Sequence, residues 1–389
     1  MSFSARIAAE LRGDRMVWAI LVLLGLFSLL AVYSATGTLA YRERGGNTES
    51  YLFKHGIILM GGLVITYFCH LLHYRRYMNW APILLPIALI LLAYTLVLGT
   101  DINQARRWIM IPIVGISFQT SDFAKLALII YVARAISSKQ DYIKDFQSAF
   151  VPIIVPIVLV CGLIAPADLS TAIIVFITCL FMMFVGRVAM KYIGLLLLAG
   201  GIMFAFLLLL GRSFPEYVRV QTWESRMQQF IAPSETGEDT YQIDQAKIAL
   251  ANGGWTGVGP GNSTQRNYLP YAHADFIYAI ICEEYGVIGG AVIIGLYLLL
   301  FFRVTRLITK SPKAFGAMVA LGLSLIIIIQ AFFHVGINVN LLPVTGLTLP
   351  LISMGGTSLL FTCVAFGIIL SVSKYIESVN EADIEEEDI

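Results

Sequence analysis

Apolar residues in this chain gather in long runs, not in the alternation of a half-buried strand or the one-sided stripe of a soluble helix. Ten runs lie near residues 16–34, 54–72, 79–99, 109–134, 149–165, 168–186, 190–210, 272–302, 314–338 and 346–376. A hydrocarbon core about 30 Å thick takes roughly 20 apolar residues of helix to cross, and a helix satisfies its own backbone polar groups there. The pattern therefore predicts an all-α integral membrane protein with ten transmembrane helices. The fourth run is the least regular, because Pro112, Gly115 and the polar QTSD (119–122) break it. An interfacial stretch leading to a helix that starts near Ser121 fits it as well.

The linkers add orientation. Arg6, Arg12, Arg15, Arg75, Arg76, Arg134, Lys139, Lys144, Arg187, Lys191, Arg303, Arg306, Lys310, Lys313 and Lys374 fall on one set of sides, against Arg42, Arg44, Lys54, Arg106 and Arg107 in the short loops of the other. Excess lysine and arginine marks the cytoplasmic side. Both termini are thus expected in the cytoplasm, and segment 211–271 is expected to be a large extracytoplasmic loop between helices seven and eight. The chain then divides into a cytoplasmic N-terminus (1–15), a ten-helix domain (16–376) and an acidic cytoplasmic tail (377–389) that reads as disordered. VYSA follows the first run, but losing that helix would put the other nine out of step with the charge pattern, so the run is read as a retained span.

Composition agrees. Hydrophobic residues make up 58% of the chain and charged ones 13%, about half the charge of a soluble domain. The net charge of +1 gives no field for nucleic acid. Cys69, Cys161, Cys179, Cys282 and Cys363 sit inside apolar runs without metal-ligand spacing and read as small buried hydrophobes.

Within the long loop, Val220, Trp223, Met227, Phe230 and Ile231 recur at helical spacing beside Arg219 and Arg226. This predicts a short helix at 217–232, lying on the membrane or over a cavity. Residues 233–240 read as a turn-rich break, and 241–254 as a second helix closed by glycines. WTGVGPGNSTQRN (255–267) is either a cradle whose glycines let amides approach a phosphate or sugar, or a flexible surface loop. It is neither a P-loop nor a dinucleotide turn.

Ionisable residues at membrane depth are costly and mark function by default. In the 105–128 stretch, Arg106 and Arg107 precede Trp108, and Gln119, Asp122 and Lys125 follow. Asp122 and Lys125 stand three apart, so a helix pairs them. They are a helix start and its partner, or part of an inward-facing cationic set for an anion. Asp168 opens APADLSTAIIVF as an N-cap or a site carboxylate. Lys54, beside His55, is a snorkelling lysine or a ligand. Asp275, in YLPYAHADFIYA (268–279), stands at the mouth of the eighth helix without the Glu or Gln three residues on that a capping box needs. His273 reads as a positioning or surface group. Pro343, Gly346, Pro350, Gly355 and Gly356 make 338–360 a broken backbone beside a cavity. This layout suits a substrate with a lipid tail and an anionic head.

Those residues carry a resemblance. RRWI, the Gln119–Leu126 pattern, ADLSTA, the run YQ…GGWTGVGPGNSTQ…YLPYAHADFIYAIICEEYG and LLPVTGLTLPLISMGGTS resemble the shape, elongation, division and sporulation family, of FtsW/RodA type and closer to FtsW, over about residues 15–376. The resemblance implies a ten-helix protein of the bacterial cytoplasmic membrane that polymerises peptidoglycan strands from lipid II and releases undecaprenyl pyrophosphate. It puts the essential aspartate on Asp275, with Arg107, Lys125, Asp122, Asp168 and Lys54 at substrate-binding positions and Gln119 in the fourth-helix pattern. No cofactor is required; a divalent cation could bridge the pyrophosphate, though no ligand cluster demands one. The implied partners are a class B penicillin-binding protein transpeptidase, divisome or elongasome regulators and membrane lipid. The chain departs from the family pattern at QTSD, APADLST and MGG while keeping an acid at Asp122 and Asp168. A lipid II flippase and a non-catalytic scaffold are the rival readings.

Overall fold

The computed structural model describes residues 12–37, 39, 47–102, 105–111, 116–213, 218–233 and 237–387. Arg6, Arg42, Arg44, Pro112, Gly115 and part of the 233–240 break lie outside the described residues. A helix forms at each of the ten predicted runs: α1 (Arg15–Ala35), α2 (Thr48–Leu71), α3 (Arg75–Leu98), α4 (Thr120–Ser138), α5 (Val151–Ile164), α6 (Leu169–Val185), α7 (Met190–Ser213), α10 (Ile277–Lys310), α11 (Ala314–Asn338) and α12 (Thr357–Glu387). Between α7 and α10 come the two short helices expected in the long loop, α8 (Val220–Ile231) and α9 (Glu238–Gly253). Among the described residues, eight helices are long and apolar enough to cross a membrane. The two others at the predicted runs differ for plain reasons: α4 carries Asp122, Lys125 and Arg134, and α6 has only 17 residues.

The chain is not all-α. Strands β1 (Thr100–Ile102), β2 (Ala105–Ile111) and β3 (Ile116–Gln119) form an antiparallel sheet in the order β1-β2-β3, where the fourth apolar run was expected to begin as a span. Trp108 and four isoleucines in these strands favour a pleated surface, and the helix begins at Thr120, close to the alternative start near Ser121. In the register, Trp108 faces Gln119 and Ile109 faces Phe118. A second departure lies at the other end. Helix α12 runs through the acidic tail to Glu387, since its Glu and Ala residues are good helix formers.

The long helix α11 is the central pillar. It is apolar on all sides, and most of its surface is covered by α4, α6, α10 and α12. Helices α2 and α12 lie closer still, because small residues face each other. A Cβ added to Gly62 would sit 2.6 Å from Cys363 Sγ, and Thr66 Oγ1 donates to the Cys363 carbonyl at 2.9 Å. Packing of small residues is what joins helices where lipid supplies no hydrophobic drive. Four of the five cysteines are buried and Cys69 is half-buried, all as free thiols.

Helix α10 is interrupted at Gly286 (φ 69°), and the glycine-rich segment is spliced into the break. Val258 N and Gly259 N donate to the carbonyls of Glu283 and Glu284, both at 3.0 Å, while Val287 N and Ile288 N donate to Gly254 and Trp255 at 2.9 and 3.3 Å. A Cβ on Gly257 would stand 2.1 Å from Glu284 O, and one on Gly286 2.2 Å from Trp255 O. These glycines therefore serve backbone-to-backbone contact. The reading as a phosphate cradle or a free surface loop gives way to a structural splice, in which the Val258 and Gly259 amides are spent on α10. The buried Glu283 carboxylate finishes the joint, accepting from Ser263 Oγ, from Thr264 N at 3.2 Å and Oγ1 at 2.9 Å, and from Gln265 N at 3.2 Å.

Candidate active site

One end of the bundle gathers three of the singled-out residues. The sheet presents Arg107 from β2, the turn after α5 presents Asp168, and the turns before α10 present Asp275. Arg107 Nη1 pairs with Asp168 Oδ2 at 2.6 Å. The other oxygen of Asp168 accepts from Thr171 N at 3.1 Å. Asp168 is thus both helix cap, as one reading of the sequence has it, and partner in an ion pair. Gly346 lies between Arg107 and Asp275: a Cβ there would be 3.7 Å from Arg107 Nη2 and 3.8 Å from Asp275 Oδ2.

Asp275 is not a cap. The N-cap of α10 is Phe276, with no side-chain cap bond, and the Asp275 carboxylate has no hydrogen-bond partner among the described residues. Burial pushes its pKa up to about 7, against the lowering pull of Arg107 and Arg226 and with a further raise from Asp168. Little hydration and no donors are what lift a carboxyl this far. A carboxylate poised near neutrality beside a cation is a fitting general base.

The backbone under Asp275 is fastened carbonyl by carbonyl. Met354 N donates to His273 O at 3.0 Å, Ser353 Oγ to Ala274 O at 2.7 Å, and Asn338 Nδ2 to Asp275 O at 3.2 Å. Asn338, fully buried, also accepts from Ala279 N through Oδ1 at 3.0 Å. The broken stretch 339–356 supplies the Ser353 and Met354 bonds, and the last residue of α11 supplies those of Asn338.

The same stretch leads to a second cluster. Lys125 Nζ pairs with Asp122 Oδ1 at 2.8 Å and donates to Gln330 Oε1 at 3.2 Å. Gln330 Nε2 in turn donates to Thr348 O at 2.8 Å, two residues beyond Gly346. The other oxygen of Asp122 is buried without a partner among the described residues. Gln119 bonds Ser121 Oγ through its amide at 3.0 Å and lies at the end of β3 as the residue before α4. Lys54 is exposed on α2 and joins neither cluster. Attention to charge alone passed over Asn338, Gln330 and Ser353; uncharged amides and hydroxyls inside apolar runs were the signal that could have found them.

Comparison with known proteins bears on this arrangement. Residues 14–378 match the family of cell cycle proteins FtsW/RodA/SpoVE. The chain belongs to that family. It is 35% identical to the probable peptidoglycan glycosyltransferase FtsW of Haemophilus influenzae over 366 residues, covering 92% of this chain and 90% of that one. Against the stage V sporulation protein E of Bacillus subtilis it is 34% identical over 372 residues, covering 93% and 97%. The fold is shared with the rod shape determining protein RodA of Thermus thermophilus, with a TM-score of 0.66 at 23% identity over 93% of this chain and 97% of that one. It is similar as well to a chain of a peptidoglycan synthase complex that coordinates polymerization and crosslinking, with a TM-score of 0.70 at 25% identity over 94% and 98%. The chain is thus a multi-helix membrane protein of that family, and relatives of it carry the name peptidoglycan glycosyltransferase.

Proposed function

We propose that this chain is a peptidoglycan glycosyltransferase that extends glycan strands from lipid II, with Asp275 as general base. The observation that carries the reading is the unpartnered Asp275 carboxyl, lifted to about 7 and set across Gly346 from the Arg107–Asp168 pair. Asp275 takes the proton of the acceptor hydroxyl as that oxygen attacks the donor's anomeric carbon and the bond to pyrophosphate breaks. Arg107 offsets charge on the departing pyrophosphate, and Asp168 aims its guanidinium. Lys125, held by Asp122 and Gln330, adds a second cation to the substrate-binding set. Lys54 and Gln119 are outer members of the substrate path.

The proposal keeps ten spans with both termini cytoplasmic and the 211–271 loop outside, in a bacterial cytoplasmic membrane. It joins the chain to a class B penicillin-binding protein transpeptidase and to divisome or elongasome regulators. The donor set does not fit a resident metal. Among the described residues no three His, Cys, Asp or Glu side chains converge, and both oxygens of Asp168 are engaged. A divalent cation in this proposal belongs to the pyrophosphate, and no step depends on it. The test is strand synthesis by purified protein from lipid II. The wild type is expected to polymerise and folded Asp275→Asn to lose activity; polymer at the wild-type rate from Asp275→Asn refutes the base assignment. Transfer of lipid II between leaflets without new glycosidic bonds is the result a flippase would give.

A further inference from the structure

At the end of the bundle that holds Asp14, an open cavity of about 240 Å³ lies between the last turn of α2 and α12. Arg12 from the chain start and Lys374 from α12 line it. Among the described residues no ion pair holds either of them. The one carboxylate in the wall, Glu377, already accepts from Gly13 N at 2.8 Å. Two cations against one engaged carboxylate leave positive charge for a ligand to neutralise.

The uncharged polar groups of the wall are acceptors. Ser371 Oγ spends its hydrogen on Leu72 O, and Ser378 Oγ spends its own on Tyr375 O at 2.8 Å, so both keep only lone pairs to offer. His70, 1% exposed, donates through Nε2 to the Arg12 carbonyl. In a neutral ring Nδ1 is then the bare nitrogen, and it is buried without a partner among the described residues. A buried acceptor left without a donor is costly. Cations together with acceptors suit a group that combines a phosphate with hydroxyls.

One rim of the cavity is apolar. Leu71 lines it and is 45% exposed. Phe68, Val64 and Met60, all exposed, lie behind it at steps of three and four residues along α2, so the four make one stripe that starts at the cavity. A soluble anion has no use for that stripe, whereas an acyl chain does.

We propose that this cavity binds the headgroup of an anionic phospholipid. Its phosphate sits on Arg12 and Lys374, its headgroup hydroxyls donate to His70 and the two serines, and an acyl chain runs along the α2 stripe. Basic pockets between membrane helices hold such headgroups by charge-assisted bonds. The bound lipid ties the chain start to α2 and α12. The inference needs the membrane-spanning fold alone and is independent of the glycosyltransferase reading.

The test uses delipidated full-length protein in neutral detergent. It is titrated with phosphatidylglycerol, with phosphatidylcholine of the same chains and with inorganic phosphate, and bound molecules are counted by native mass spectrometry. One phosphatidylglycerol is expected to bind ahead of all others, about tenfold or more tighter than phosphatidylcholine, as a charge-assisted contact implies. Arg12→Gln and Lys374→Gln should each weaken it about fivefold or more. Arg306→Gln should leave it unchanged, because Arg306 lies over the Phe302 ring and outside the cavity wall. Equal binding of the two lipids refutes the site. So does an equal loss in all three variants, which would mark general surface charge. Displacement of the lipid by inorganic phosphate at matching concentration overturns the lipid in favour of a soluble phosphate. The wild-type comparison of the two lipids stands even if a variant does not fold.

Discussion

Asp275 owes its chemistry to what is missing around it. A carboxyl with donors would ionise in acid; this one, stripped of them, holds its proton to about pH 7. Its raised pKa leaves the base form dominant only above that pH, so the polymerisation rate should rise as pH increases through about 7 and level off beyond. Arg107 pulls this pKa down, so Arg107→Gln is expected to move the limb to higher pH as well as lower the plateau. An unmoved limb in the pH–rate profile would separate Arg107 from the base. Asn338 acts on the same residue through the backbone. Asn338→Asp keeps an acceptor for Ala279 N but loses the donor to Asp275 O, whereas Asn338→Leu loses both. Activity should fall in the order wild type, Asp, Leu, and the drop should lie mainly in kcat, because the donor bond positions a base without binding substrate.

At the scale of elements, the joint between the glycine-rich segment and α10 is the most demanding feature. Alanine at Gly257 would meet Glu284 O at 2.1 Å in a backbone conformation (φ 81°) that L-residues rarely adopt. Gly257→Ala should cost about 2 kcal/mol or more and lower the thermal midpoint in detergent, while alanine at Gly261, where an added Cβ meets nothing within 4 Å, should cost less despite its own positive φ. The helices were legible in the sequence because lipid imposes one rule on every run: be apolar and satisfy the backbone internally. The sheet was not, since the apolar content of IMIPIVGI is the same whether it pleats or coils, and the breaks at Pro112, Gly115 and QTSD were what hinted otherwise. For the site, Arg107, Asp168 and Asp275 stood out as charges in costly places. The splice was hidden, because a glycine that meets a phosphate and one that meets a distant carbonyl look alike in one dimension.

Across the whole molecule, the end remote from Asp275 is fastened by the start of the chain. Asp14 caps α1 through Met16 N at 2.9 Å, receives Arg303 of α10 at 2.6 Å, and donates its own N–H to Ser373 Oγ of α12 at 2.7 Å. Gly13 N adds a bond to Glu377 at 2.8 Å. Three helices thus meet on one residue, α1 and α10 at its buried carboxylate and α12 at its backbone N–H. Asp14→Ala strands the half-buried Arg303 and removes a cap, and should cost about 2 kcal/mol, seen as a lower melting temperature. The pH limb of activity should stay where it was, because sites this far apart act independently.

The splice at Gly286 also bears on how the protein can move. The turns that carry Asp275 leave the glycine-rich segment and enter α10, and that segment is bonded back onto the helix on the far side of the break. The Asp275 carboxyl thus sits on a closed ring of chain whose two ends are locked to each other. Such a ring resists opening as a flap. Motion that admits a bulky substrate is left to α8, whose contacts with the bundle include Trp223 on Phe204, Val220 against Gly211 and the Arg219 amide on Pro166. In hydrogen–deuterium exchange, the amides of Val258, Gly259, Val287 and Ile288 should therefore stay protected as one unit while those of α8 exchange ahead of them: a fixed anvil under a mobile hand.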